Sequence, residues 1–530
     1  MSAGSAPPCP LRIAALAAAV LVGAGCEGSG SAGGGLEVEI GASETCTELA
    51  GAFPSGLALH PGDVNRALVA QPNLPGVAVF RLDGPRPVLL AQQSIPPDSD
   101  GDGVDDTVRS QQEGFFPLAP VLGGIHALEA GLALLSASNY EEVLFIDLDS
   151  AARVAALVEN PLASGRFDPE DYPFLPPAGE AHLRTAVSTR ACVFPPSAFD
   201  SLGDAIPPEP RCDPDVPGYF TNLTQGQAVA AGRLFVATAN LKSSAQARFN
   251  PGSVLVYEWQ EVGGGFHVRP DVDTPMLFTT GFNPTAATRY VTASGRELVL
   301  VTVTGAIGAA TGPGNPRSAA AIDVVDAQRP RVAASIPLGV AGPSFDALAI
   351  DPRGRVALLG ASSQRHVYAV DLAPLDDPRL YEGDGAPILL DGLTPGFPDA
   401  RIFGADRPLV LPDRSDGPAP AQCDGLTHVV VDAAGTTAFA TEHCDGTFTR
   451  ILLDLAGSPP VPVPADRFQV FLQENLWAPL TAASIGLDRA PGPLRVRAGE
   501  PGRDYEGPDV ILTLGQPTGQ LCAVSTTRAP

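Results

Sequence analysis

The stretch FDALAIDPRGRVALLGASSQRHVYAVDL, residues 345–372, decides the fold. Three short apolar runs, Ala347 to Ile350, Val356 to Gly360 and Val367 to Val370, alternate with polar turns. Runs of four or five residues bounded by Gly, Pro, Asp and Ser are strands, and Asp351-Pro-Arg-Gly-Arg355 between the first two is a tight hairpin turn. The third run ends on an acid, Asp371. The same unit recurs as GLALHPGDVNRALVAQPNLPGVAVFRLD (56–83), IHALEAGLALLSASNYEEVLFIDLD (125–149) and QAVAAGRLFVATAN with GSVLVYEW (227–240, 252–259). It returns in AATRYVTASGRELVLVTVTG with SAAAIDVVD (286–305, 318–326) and HVVVDAAGTTAFATEHCDGTFTRILLDL (428–455). A weaker copy is SIGLD followed by DVILTLGQPTGQLCAV (484–488, 509–524).

Each third strand leads to a fourth, such as VAASIPL (332–338) or RFQVFL (467–472). A four-stranded antiparallel unit repeated this often cannot cover both its faces alone, but stacked copies can. The expected fold is all-β: a single β-propeller over 36–530, seven blades favoured, six or eight possible. A pair of β-sandwiches or a β-solenoid is the alternative. Gly (57) and Pro (55) are abundant and charged residues reach only 17%, which suits many short strands joined by turns. The runs Val-Tyr-Ala-Val-Asp-Leu (367–372) and Ala-Ile-Asp-Val-Val-Asp (321–326), with the turn at 351–355, resemble the YVTN type of β-propeller repeat, to which lactonase-like propellers are related. The resemblance implies a fold and leaves the activity open, because propellers host many functions.

Closure requires the chain ends to meet. The last repeat shows three strands, and Leu36-Glu-Val-Glu-Ile40 is a spare strand that could supply the fourth. In a blade, entry to the innermost strand and the turn between strands two and three share one rim. Insertions at 96–118, 156–224 and 380–425 precede innermost strands, and 241–251 and 306–317 follow second strands. This loop-decorated rim is the expected binding face; 489–508 falls on the other. Aligning the repeats brings Gly56, His126, Gln227, Thr285, Asp346, His428 and Ser484 to one level at the channel mouth. Among them His126, Gln227, Asp346 and His428 are candidates for metal or acid–base chemistry, or simply a polar lining. The lactonase-like relatives use several acidic and amide ligands there, whereas here only Asp346 is acidic.

The sharpest local motif is Asp98-Ser-Asp100-Gly-Asp102-Gly-Val-Asp-Asp106. Alternate carboxylates with a glycine between them can wrap a hard cation, so Asp98, Asp100, Asp102 and Asp106 form the expected calcium site. The loop resembles those of thrombospondin type 3 repeats and dockerins. It departs from an EF-hand in carrying Arg109 at the twelfth position. The expected Ca2+ is structural.

Arg12 precedes the apolar run Ile13 to Gly25, which is too short to span a bilayer but has the length of a signal peptide's apolar region. Val22-Gly-Ala-Gly-Cys26 resembles a bacterial lipobox, with Gly23 where leucine is usual. The resemblance implies a signal peptide over 1–25, lipidation of Cys26 and a flexible tether over 26–35. Six further cysteines in an exported chain suggest disulfides with 15 possible connectivities. The preferred set, drawn from the propeller map, is Cys46–Cys522, Cys192–Cys212 and Cys423–Cys444. A net charge of −26 repels phosphate backbones and argues against nucleic-acid partners. Lys242 is the only lysine. The sequence therefore reads as a lipid-anchored cell-envelope protein, on the periplasmic face or the cell surface. It would bind or scaffold a protein or glycan without catalysis. The alternative is a metal-dependent propeller hydrolase or lactonase working in the channel.

Overall fold

The computed structural model describes residues between 44 and 525. Outside the description lie 1–43, 50–55, 72–75, 83–86, 96–121, 160–180, 192–198, 206–220, 244–247, 306–318, 340–347, 362–365, 412–425, 443–446, 455–460, 470–479, 487–509, 516–519, 526–530 and a few shorter stretches. The described residues form an all-β propeller of mainly four-stranded antiparallel blades.

Sheet I orders Gly56–His60, Asp63–Gln71, Gly76–Arg81 and Val88–Ser94 from the inside outward. Sheet II has Leu122–Leu128, Leu132–Ala137, Glu142–Asp147 and Ala186–Ser188. Sheet III starts with Thr224–Ala230, Arg233–Thr238 and Pro251–Val262; Gly265–Pro270 and Met276–Phe282 share the outer side of the last of these. Sheet IV comprises Pro284–Val291, Glu297–Val303, Ala320–Asp326 and Arg331–Gly339. Sheet V comprises Ala349–Ile350, Val356–Gly360 and His366–Asp371, bordered by Arg401–Phe403 and Leu409–Val410. Sheet VI has Leu426–Val431, Thr437–Glu442, Thr447–Asp454 and Val461–Gln469. Sheet VII runs Leu480–Gly486, Val510–Gly515, Gln520–Ser525 and, outermost, Glu44–Glu48 from the other end of the chain. The uniform four-stranded repeat thus gives way in sheets III, IV and V, which carry more than four strands.

The two-residue period of a strand explains the packing. Leu132 and Leu134 join Val143 and Phe145 against Leu234, Val236 and Leu255 of sheet III. Their neighbours Ala133 and Leu135 face the other way, against Leu68, Val77 and Val79 of sheet I. Both faces are covered, so Leu132–Ala137 is buried along its whole length and reads as a continuous apolar run. The pattern repeats between sheets III and IV (Phe235 and Val254 with Val299 and Val301), IV and V (Leu300 and Ile322 with Leu359 and Tyr368), and V and VI (Leu358 and Val367 with Val429 and Ala440). The innermost strand of sheet VI packs on that of sheet VII, and that of sheet VII on that of sheet I. Leu521 of sheet VII sits with Val69, Ala78 and Phe80 of sheet I.

The recurring polar residues belong to the turns. Asp351 is buried and its carboxylate accepts from the backbone N–H of Arg353 (3.0 Å), Arg355 (2.6 Å) and Val356 (2.8 Å), which holds the hairpin that opens the motif. Asp147 accepts from Ser150 N–H at 2.7 Å and Asp371 from Ala373 N–H at 2.9 Å. This is why third strands end in an acid. The closing strand is Glu44–Glu48 rather than Leu36–Ile40, which lies outside the described residues. An outer edge offers backbone N–H and C=O groups, so Thr45 and Thr47 serve there without an apolar alternation.

Near the axis the innermost strands approach so closely that side chains must be minimal. A Cβ on Gly226 would lie 2.4 Å from the backbone nitrogen of Ala287 and 2.5 Å from the Cα of Ala286. Backbone cannot yield as a side-chain tip can. We expect Gly226→Ala to destabilise the chain by about 1–3 kcal/mol, the cost of overpacking. A urea midpoint unchanged from wild type would show that the two strands separate freely.

Candidate functional site

The insertions take paths that the repeat pattern alone does not reveal. In sheet II the outer strand is divided. Asp147 N–H donates to Ala152 O (2.8 Å) and Val154 N–H to Phe145 O (2.9 Å), while Ala186–Ser188 pairs with Glu142 to Leu144. The chain leaves between these pieces, and Ala156–Glu159 adds in parallel to Gly265–Pro270 of sheet III, with Ala181–Arg184 outside it. In sheet V, the segment after His366–Asp371 makes two 3-10 turns, Ala373–Asp376 and Pro378–Tyr381, over the inner hairpin of sheet IV. The Arg296 guanidinium lies 4.2 Å from the centre of the Tyr381 ring. Ile388–Leu389 then adds in parallel to the outer strand of sheet IV. The expectation that 156–224 and 380–425 crowd a single rim is corrected for these described parts. They occupy outer edges and the rim of the inner hairpins: the first departs from within the divided fourth strand of sheet II, and the second departs after the third strand of sheet V, before Arg401–Phe403 and Leu409–Val410 border it.

What remains at the entry rim is a polar block where sheets II and III meet. Thr189 N–H donates to Glu141 O (2.6 Å), and the Arg190 guanidinium is 3.5 Å from the Glu141 carboxylate. Ser138 donates its hydroxyl to Thr224 O (2.6 Å), and the Thr189 and Thr224 hydroxyls share a 2.5 Å bond. Thr221 donates to Thr189 O (2.6 Å) and accepts from Ala191 N–H (2.7 Å). Asn222 brackets Leu241, donating to its carbonyl (3.0 Å) and accepting from its N–H (2.6 Å). Beside this, the fully buried Asp200 accepts from Lys242 (3.0 Å) and from Arg248 Nε (2.6 Å). Burial opposes ionisation of Asp200, yet these two cations outweigh it and hold the carboxyl below its ordinary range.

Three non-glycine residues of the block take left-handed backbone angles: Glu141 (φ 59°), Leu223 (φ 57°) and Asn240 (φ 56°). Such conformations persist only where surroundings over-determine them, and they gather at functional positions. The Glu141 carboxyl is also poised near neutrality. Burial raises it to about 7 against the downward pull of Arg190. Neither feature is visible in the sequence, where Glu141 is an ordinary turn residue after Asn139-Tyr140.

The channel candidates do not share one level. His126 lies opposite Leu134, Gln227 opposite Val236 and His428 opposite Thr441. These partners stand three, four and six residues beyond the corresponding hairpin glycines Gly131, Gly232 and Gly435. His126 is nearer the inner hairpin than the mouth. Burial and then the Arg289 guanidinium lower its imidazole to about 4, so it is neutral at physiological pH. Gln227 is buried and fully engaged between sheets: it donates to Gly124 O and Leu134 O, both at 2.8 Å, and accepts from the Ser136 hydroxyl at 2.6 Å. Thr285 shares a 3.1 Å bond with Thr304. Asp346 lies outside the described residues.

Also outside are Cys26, the acidic loop of Asp98, Asp100, Asp102 and Asp106, and Cys192, Cys212, Cys423 and Cys444. Cys46 and Cys522 stand directly opposite each other in the backbone pairing, and the described residues contain no formed disulfide. Among the described residues no three His, Cys, Asp or Glu side chains gather as a metal site, and no helix is long and apolar enough to cross a membrane.

No protein-family model and no curated protein matches the chain. Solved structures resemble it in shape. The β-propeller domain of Myceliophteria thermophila Cps50 (Swd1) is 10% identical over 91% of this chain and 100% of that one, with a TM-score of 0.42. Hydrazine synthase of Kuenenia stuttgartiensis is 8% identical over 91% and 98%, with a TM-score of 0.47. Saccharomyces cerevisiae Sqt1 is 9% identical over 90% and 97%, with a TM-score of 0.44. Likeness at this level carries no function across, and the fold stands on the chain's own sheet order.

The carboxyl of Glu141 is raised in the folded chain, so its charged form is disfavoured there. Wild-type stability should fall relative to Glu141→Gln as pH rises from the unfolded glutamate value of about 4.3 through about 7, by on the order of 1–3 kcal/mol. Urea midpoints of both proteins at pH 4 and pH 8 measure this. A constant difference between them would place Glu141 in water.

Proposed function

We propose that this chain is a non-enzymatic binding or scaffold lipoprotein of the bacterial cell envelope. Its propeller presents the entry rim around sheets II and III to a protein or glycan partner. One observation carries the reading: the rim's polar side chains are spent on holding backbone in place. Ser138, Thr221, Asn222 and Asp200 all bond main-chain groups of the insertion or of the sheets beneath it, and Thr189 bonds the Thr224 hydroxyl beside them. Such a rim is a rigid platform, and preorganised surfaces bind at lower entropic cost.

The proposal includes one ring of seven blades of the YVTN type. Its support is the cyclic packing of sheets I to VII, each on the next and the last on the first. It also includes the lipid on Cys26 and a structural Ca2+ on Asp98, Asp100, Asp102 and Asp106, both argued from sequence. The channel hydrolase reading requires His126, Asp346 and His428 to converge. The different register levels of the two histidines count against it.

Photo-crosslinking residues placed singly at Asp204, on the entry rim, and at Val291, beside the inner hairpin of sheet IV, test the working face in intact cells. The proposal expects a discrete adduct from Asp204 that persists after washing and none from Val291. Adducts from Val291 alone, or metal-dependent lactone hydrolysis by the purified chain that disappears in His126→Ala, would overturn it. Calcium is tested by calorimetry on the full chain and on an Asp100→Ala, Asp102→Ala variant. Wild-type binding near millimolar and none in the variant is expected; equal heats would remove the site.

A further inference from the structure

We infer that Cys46 and Cys522 form a disulfide that locks the propeller ring, one cysteine coming from each end of the chain. Glu44–Glu48 is antiparallel to Gln520–Ser525, with the pairs Thr45 opposite Ala523, Cys46 opposite Cys522 and Thr47 opposite Leu521. Directly opposed residues in an antiparallel ladder have Cα atoms about 4.5 or 5.5 Å apart, according to the hydrogen-bonding site. Both values fall inside the roughly 4.4–6.8 Å range of bridged cysteines, so the register alone meets the main distance requirement.

The faces agree as well. Thr47 donates its hydroxyl to Pro87 O, beside the outer strand of sheet I. Its partner Leu521 is fully buried against Val69, Ala78 and Phe80 of the same sheet. Thr47 and Leu521 therefore share the face turned toward sheet I. By the two-residue period, Cys46 and Cys522 share the opposite face. Two cysteines brought from opposite ends of the chain to facing positions of the one strand pair that closes the ring are placed as a staple. The register is what connects them, and the inference stands whatever the rim binds.

The chemistry is an ordinary thiol–disulfide exchange. One thiolate attacks a small-molecule disulfide such as oxidised glutathione, displacing one thiol. The second thiolate then attacks the mixed disulfide and displaces the other. One sulfur–sulfur bond forms in the protein as one breaks in the oxidant. The two protein protons and two electrons leave in two molecules of reduced thiol. The bond prevents the closing strand from peeling away, and it cross-links nearly the whole chain, the case in which restricting the unfolded state matters most.

The test uses the full chain refolded in a glutathione redox buffer, alkylated under denaturing, non-reducing conditions and mapped by peptide mass spectrometry. The inference expects one linked species joining the peptides of Cys46 and Cys522, with neither residue alkylated. It further expects Cys46→Ala to release an alkylatable thiol at Cys522. Reduction should lower the wild-type Tm by about 2–6 °C more than that of Cys46→Ser, Cys522→Ser. Quantitative alkylation of both residues in protein with a cooperative melt, or linkage of either to another cysteine, would overturn the staple. The peptide map decides even if the double variant fails to fold.

Discussion

Each sheet of this protein must be covered on both faces, and that requirement governs the rest. Alternate residues of Leu132–Ala137 serve two different cores, one shared with sheet I and one with sheet III. The same is true of Phe235 and Leu234, of Val299 and Leu300, and of Leu358 and Leu359. A single four-stranded unit would leave both such faces in water, at about 25 cal/mol for every Å2 of apolar surface. Stability therefore belongs to neighbouring pairs of sheets. An end that failed to pack would expose two faces, which explains why Glu44–Glu48 is brought across to complete the last sheet.

Coverage of the faces leaves the sheet edges without strand partners, and the chain uses two of the outer ones. Ala156–Glu159 leaves sheet II and lies along the edge of sheet III; Ile388–Leu389 leaves the region of sheet V and lies along the edge of sheet IV. Both pairings are parallel and short, and both link one sheet to another outside the cores. Exposed edges invite pairing with other chains, and filling them with the chain's own insertions is one way of preventing it. The insertions are therefore partly structural.

Strands and turns were legible because they follow directly from local chemistry. The apolar runs of 125–149 and 345–372 became the expected strands, and the turn at Asp351 closes through its own carboxylate. Levels in the channel were not legible, for an identifiable reason. The innermost strands carry register irregularities near their entry ends, between Leu122 and Ile125, Thr224 and Gln227, Pro284 and Ala286, Leu426 and His428, and Leu480 and Ala483. A count of residues from the mouth drifts across each irregularity, so His126, Gln227 and His428 aligned in sequence but not in space. The seam at Glu141 was hidden differently. Its burial and left-handed backbone arise from contacts with Thr189 and Arg190, far along the chain, and no local pattern announces them.

Those same irregularities account for the character of the entry rim. Where the ladder shifts, backbone carbonyls lose their regular partners and must be satisfied in another way. Gln227 reaches Gly124 O, Ser136 reaches Gln225 O, and Ser138 reaches Thr224 O, each across the gap between sheets II and III. The rim is thus held by side chains bonding main chain, whereas the opposite rim is held by tight hairpins. Side-chain bonds of this kind tie loops of differing length to a fixed scaffold. They make the entry rim the part of the molecule where surface loops can differ while the cores between sheets stay as they are, and a binding face needs that property.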